Sequence, residues 1–168
     1  STGSHGNLGP GDVQWMTAAS GIVHEEFHSR NFARNGGTLE MVQLWVNLRS
    51  IDKASPPKYQ DLRDDQFPRV ELANAAGTAR IIAGHFGEAD GPASTFTPMN
   101  VWDLQLKANA TVDLKVPAGH TTVLIVQQGT VRVNDSPMKG VELALLEREG
   151  DSIQIHSETE SRILVLTG

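Results

Sequence analysis

The chain contains no cysteine. That excludes a disulfide framework, a thiolate metal site and a cysteine nucleophile, and makes a reducing cytoplasm the simplest compartment. No apolar run of about 18 residues and no signal-type hydrophobic segment occurs, so neither a membrane span nor a leader is expected. Basic clusters are missing too: 14 Lys and Arg stand against 20 Asp and Glu, for a formal charge of −6. Direct binding to nucleic acid or an anionic membrane needs a concentrated basic face, and neither is expected as a partner. A His-x-His sequence is absent throughout. What remains is 168 residues, 39% of them apolar, enough to bury one domain, or one domain and part of another.

The pattern along the chain is that of an all-β protein. Ser1 to Leu8 is polar and without periodicity, and Phe27 to Gly37 reads as a polar loop. Leu39 to Leu48 alternates, with one face wholly apolar from Val42 onward, which predicts a sheet strand buried on at least one side. Between Arg49 and Asn74 charges and prolines replace that pattern, and Tyr59 to Asp65 is its one helical turn. From Thr78 onward eight short strands follow: Ala79 to His85, Val101 to Lys107, Thr111 to Val116, Thr121 to Val126, Thr130 to Val133, Val141 to Leu146, Ser152 to His156 and Arg162 to Leu166. With turn signals such as Pro117-Ala118-Gly119 and Gly150-Asp151 they predict a sandwich or barrel. The expected organisation is 1–50 as part of one domain, 51–76 as a connection with a short helix, and 77–168 as a second domain.

Chemistry concentrates in Gly9 to Glu26, GPGDVQWMTAASGIVHEE. Gly9-Pro10-Gly11 makes a tight turn, Asp12 opens the strand-like Val-Gln-Trp-Met, and a second break follows at Ala18 to Gly21. Ile22 to Glu26 then reads as another short strand. Residues two apart on a strand share a face, so His24 and Glu26 present an imidazole and a carboxylate side by side, half of a mononuclear metal site. The alternative for His24 is a hydrogen-bonded strand histidine, and for Glu26 a solvated strand residue. His28 shares their nominal face, but four residues of strand span about 13 Å, too far for one ion. His85, His120 and His156 read as surface or packed histidines, and Trp15, Trp45 and Trp102 as core or interface aromatics. Gln43 shares a face with Trp45 and Met41.

A Gly-Asp turn, a strand, a glycine turn and an inward histidine resemble the cupins. With GGTLEMVQLWVNL and SPPKYQ following in order, the resemblance narrows to the pirin family and covers nearly the whole chain. It implies a cupin-type double-stranded β-helix (jelly-roll barrel) twice over, the C-terminal cupin complete and the N-terminal one partial. It also implies a metal site of three histidines and one glutamate in the first cupin. His24 and Glu26 match two of these, and the other two belong to a His-x-His stretch that this chain lacks. A fragment or shortened chain, without the early strands of the first cupin and without a C-terminal tail, is therefore expected.

For the parent the resemblance implies a metal-dependent dioxygenase acting on flavonols such as quercetin. Iron(II) is the first choice of ion, with nickel, manganese, copper, zinc and cobalt as alternatives. Glu26 would serve as ligand or as general base. The competing reading is a metal-sensing transcriptional cofactor or protein-binding module without catalysis. A weak internal repeat, Glu149-Gly150-Asp151 with Ser-Ile-Gln-Ile-His after Pro10-Gly11-Asp12 with Val-Gln-Trp-Met-Thr, supports two related units. The second has no ligands at the matching positions and reads as a structural or partner-binding barrel. A homodimer that covers Val42, Leu44 and Val46 is expected.

Overall fold

A computed structural model describes Gly3 and residues 5–168. The irregular stretch expected over Ser1 to Leu8 lies in part outside these described residues. The strands in chain order are β1 Val13–Thr17, β2 Lys58–Leu62, β3 Arg69–Glu71, β4 Gly77–Ala83, β5 His85–Phe86, β6 Ala89–Asp90, β7 Asn100–Leu106, β8 Ala110–Lys115, β9 Thr122–Gln128, β10 Thr130–Val133, β11 Ser136–Lys139, β12 Glu142–Leu146, β13 Ser152–Ser157 and β14 Ser161–Thr167. One α-helix, α1 Arg30–Asn35, precedes β2. The chain divides into two compact units, Ser1–Asp64 and Asp65–Gly168.

The second unit is built on two antiparallel sheets. One has the order β11-β10-β13-β8 and the other β12-β9-β14-β7-β4-β3, with a small β5-β6 ribbon beside them. Alternation drives the layering: Val112 and Leu114, Val131 and Val133, and Ile153 and Ile155 of the first sheet bury with Ala79, Ile81, Trp102, Leu104, Leu124, Val126, Ile163 and Val165 of the second. Full burial of each large aliphatic side chain contributes about 1.5–3 kcal/mol. Phe86 meets Trp102 edge to face, ring centroids 5.0 Å apart. All eight strands expected after Thr78 form. The sequence reading missed β11, because Pro137 breaks the pattern; at the sheet edge a proline is tolerated.

Residues that face away from that core are not all exposed. Asp103, only 5% exposed, lies 3.0 Å from Arg80 Nη2 and 3.8 Å from Arg162 Nη2. The Arg80 guanidinium in turn sits over the Phe67 ring, 5.1 Å from its centroid. Gly77, at φ 150°, allows β4 to lie against β7, since a Cβ there would strike the Gln105 carbonyl.

The first unit is smaller in every sense. β1 and β2 pair antiparallel, with Trp15 opposite Gln60 and Met16 opposite Tyr59. Thr17 and Leu62 are its only buried residues among those described. Four expectations are corrected here. The helical turn placed at Tyr59 to Asp65 is strand over Lys58–Leu62, followed by a 3-10 turn at Asp64–Gln66, because β1 offers a pairing partner that no local pattern announces. Phe27 to Gly37, expected as loop, contains α1, capped by Ser29 Oγ accepting from Phe32 N at 3.1 Å. Ile22 to Glu26 and Leu39 to Leu48 form no strand: among the described residues neither joins a sheet ladder, and Trp45 is 90% exposed.

Candidate functional site

The turn ahead of β1 is set by one carboxylate. Asp12 accepts from Gly9 N at 2.8 Å, from Asp64 N at 2.9 Å and from Arg63 Nη1 at 2.9 Å. Arg63 also reaches Asp61 Oδ2 at 3.0 Å. The Gly9 amide does most to hold the Asp12 carboxyl below the usual carboxylate value; desolvation opposes it, and Asp64 N–H and Arg63 reinforce it. Gly11, at φ 83°, leaves room for the Asp64 side chain that its own Cβ would otherwise strike. The Gly-Asp turn thus ties residues more than fifty positions apart, and starts β1 with Gln14 Nε2 donating to the Tyr59 hydroxyl at 3.0 Å.

Beyond β1, Gly21 N bonds Ala18 O at 2.8 Å and Ser20 N bonds Ser55 O at 3.1 Å, which turns the chain into the His24 segment. His24 Nε2 lies 4.0 Å from Glu26 Oε1, with the side chains 43% and 47% exposed. The structure therefore brings the two expected donors together, on extended chain rather than on a paired strand. Donors on one ion at about 2.0–2.2 Å lie about 3 Å apart in adjacent positions. The pair must close by about 1 Å, a change that half-exposed side chains make by rotamer adjustment. Imidazole nitrogen and carboxylate oxygen suit a divalent first-row ion, so these residues fit half of a coordination shell. No group of three or more His, Asp or Glu that could hold a metal occurs among the described residues.

The other histidines are placed elsewhere. His28 meets the Phe32 ring at a tilt of 58°, with centroids 5.2 Å apart. His85 pairs with Asp90 on the surface, and His156 Nδ1 lies 2.9 Å from Thr111 Oγ1. His120 Nδ1 is 3.2 Å from Thr167 Oγ1, in the second unit. Gln43, Met41 and Trp45 are exposed. Sequence reasoning missed the Arg63 and Asp64 contributions, because charged residues near a proline carry no signal of the turn they clasp.

An antiparallel two-sheet barrel with Gly-Asp turns defines an all-β protein of the cupin type. The family description Pirin matches residues 1–46 and the description Pirin C-terminal cupin domain matches residues 101–168. The chain belongs to the pirin family. A protein of Pseudomonas aeruginosa provisionally named quercetin 2,3-dioxygenase is 52% identical over 168 residues, which are 100% of this chain and 59% of that protein. A protein of Thermoplasma acidophilum with the same provisional name is 31% identical over 189 residues, covering 100% of this chain and 70% of its own length. A crystal structure titled quercetin 2,3-dioxygenase from Acinetobacter baumannii superposes with a TM-score of 0.90 at 48% identity, covering 94% of this chain and 55% of that one. The chain spans 59% of the length of the Pseudomonas relative. No helix among the described residues is long and apolar enough to cross a membrane.

Proposed function

We propose that His24 and Glu26 are two of the donors of a divalent-metal site in a protein that oxidises small flavonol-like aromatics. The observation that supports this most is the 4.0 Å approach of His24 Nε2 to Glu26 Oε1 on one exposed segment. His24 contributes a neutral nitrogen. In our reading Glu26 contributes an oxygen and lowers the charge of the site, and the same carboxylate accepts the proton of a flavonol hydroxyl as a general base. A redox-active ion held there, iron(II) first, would supply the electron transfer to dioxygen that imidazole and carboxylate cannot.

Two donors fill neither a tetrahedral nor an octahedral shell. In our reading this chain alone therefore binds metal weakly, and turnover needs further donors. A second reading, a metal-responsive module that binds another protein, is favoured by the exposed apolar run of Leu39, Met41, Val42, Trp45 and Val46. Oxygen uptake and loss of quercetin absorbance, followed together after iron(II) is added to a form extended at its N-terminus, separate the two. Coupled loss of both, abolished by Glu26→Gln, supports the enzyme. Metal binding without oxygen uptake supports the module.

A further inference from the structure

At one end of the second unit's barrel a cavity of about 390 Å³ opens among β9, β10, β11, β12 and β13. Its volume falls within the roughly 300–1,000 Å³ of small-molecule sites. Apolar side chains make the wall, among them Val133, Met138, Leu146 and Ile153, and Thr122 adds a buried hydroxyl. His120 stands on the same wall. Its polar lining is one imidazole, hydroxyls and an amide, with the exposed Glu147, Arg148 and Glu149 beside them.

A chain of hydrogen bonds leads from β5 to His120. Asn100 Oδ1 accepts from His85 N at 2.9 Å, which fixes the orientation of that buried amide. Its Nδ2 then donates to Thr167 Oγ1 at 2.9 Å. Thr167 is itself buried, and its one hydroxyl proton must find an acceptor or be orphaned at a cost. His120 Nδ1, 3.2 Å from Thr167 Oγ1, is the acceptor we assign to it. With that assignment the ring N–H is on Nε2, a donor for a bound group. Gly84, at φ 73°, makes the relay compact, because a Cβ there would strike Asn100 Oδ1 and the Met99 carbonyl.

The rim selects against charge. Both Arg148 Nε and Nη2 donate to Gly119 O, at 2.9 and 2.7 Å, so its guanidinium is engaged by backbone and flanked by Glu147 and Glu149. An anion entering the cavity meets two carboxylates against one guanidinium, two of whose donors are already taken.

We infer that this second barrel is a binding site for a small neutral aromatic carrying one hydrogen-bond acceptor, such as a ketone or phenol oxygen, with His120 Nε2–H and the Thr122 hydroxyl as its readers. The site is independent of His24 and Glu26. Met138 provides a polarisable, adaptable contact for the ring.

The test is an amide NMR titration of the full chain with acetophenone, ethylbenzene and benzoate. Acetophenone should give saturable shifts at Thr122, Ala144 and Ile153. Ethylbenzene lacks the acceptor and benzoate carries a charge, and each should bind at least about tenfold more weakly, the ratio expected for one lost hydrogen bond. His120→Phe should lose the preference for acetophenone over ethylbenzene, and His120→Gln, which keeps an N–H donor, should retain part of it. Ala144→Leu, which fills the cavity, should abolish binding of all three. Absence of saturable shifts with acetophenone overturns the proposal, as does equal affinity for the three probes. If a His120 variant loses its dispersed spectrum, the comparison of probes on the unaltered protein still decides.

Discussion

Two carboxylates show how much one residue can hold in this chain. Asp12 gathers Gly9, Arg63 and Asp64 around the start of β1. Its carboxyl is depressed in the folded state, so its contribution is complete above the unfolded value of about 3.9 and is lost as the pH falls through the lower folded value. Acid titration followed at the Trp15 indole should show the β1-β2 ribbon opening below about pH 4 while Trp102 stays buried. Asp12→Asn should weaken the ribbon at pH 7 and flatten that dependence; an unchanged acid transition in this variant would contradict the assignment. Asp103 is the second case. Removing it leaves Arg80 and Arg162 without their shared buried counter-charge, and Asp103→Ala should cost about 3–5 kcal/mol in denaturant unfolding of the second unit. A loss under about 1 kcal/mol would mean that the pair is solvated. The spacing of His24 and Glu26 was legible in the sequence, and so was the Asp12 turn. The Asn100–Thr167–His120 relay was not, since its members stand 67 and 47 positions apart with no local pattern to join them.

At the scale of elements, period-two alternation located every expected strand of the second unit, because each has a neighbour in the ladder and a core to face. The same alternation over Leu39 to Leu48 also reads as strand, and there the structure has none. Alternation reports a face that suits a sheet; the hydrogen bonds come from another segment. β2 is the converse, a strand without an apolar rhythm that exists because β1 lies beside it. Helix α1 is short, and its one local signal is Ser29 as N-cap, set among Asn and Gly residues that suit a loop. Hydrogen exchange should accordingly be slowest in β9 and β14, central strands of the larger sheet, and fast throughout residues 22–28 and 38–48. Protection of β1 equal to that of β9 would show the first unit to be the more stable one.

At the scale of the whole molecule the two units differ in what they can do alone. The second has its own core and its own cavity. The first buries almost nothing and exposes Val42, Leu44, Trp45 and Val46, a surface that invites association with another chain. We expect self-association through that segment, measured by light scattering across a concentration series and weakened by Leu44→Asp without unfolding of the second unit. A strict monomer at micromolar concentration would contradict it. The metal reading turns on where an ion settles, and manganese(II) line broadening in amide spectra of the chain reports that position directly. Binding should be weak, with broadening centred on His24 and Glu26 and removed by His24→Ala with Glu26→Gln. Broadening centred on His85 and Asp90, or a tight stoichiometric site indifferent to that double substitution, would contradict it.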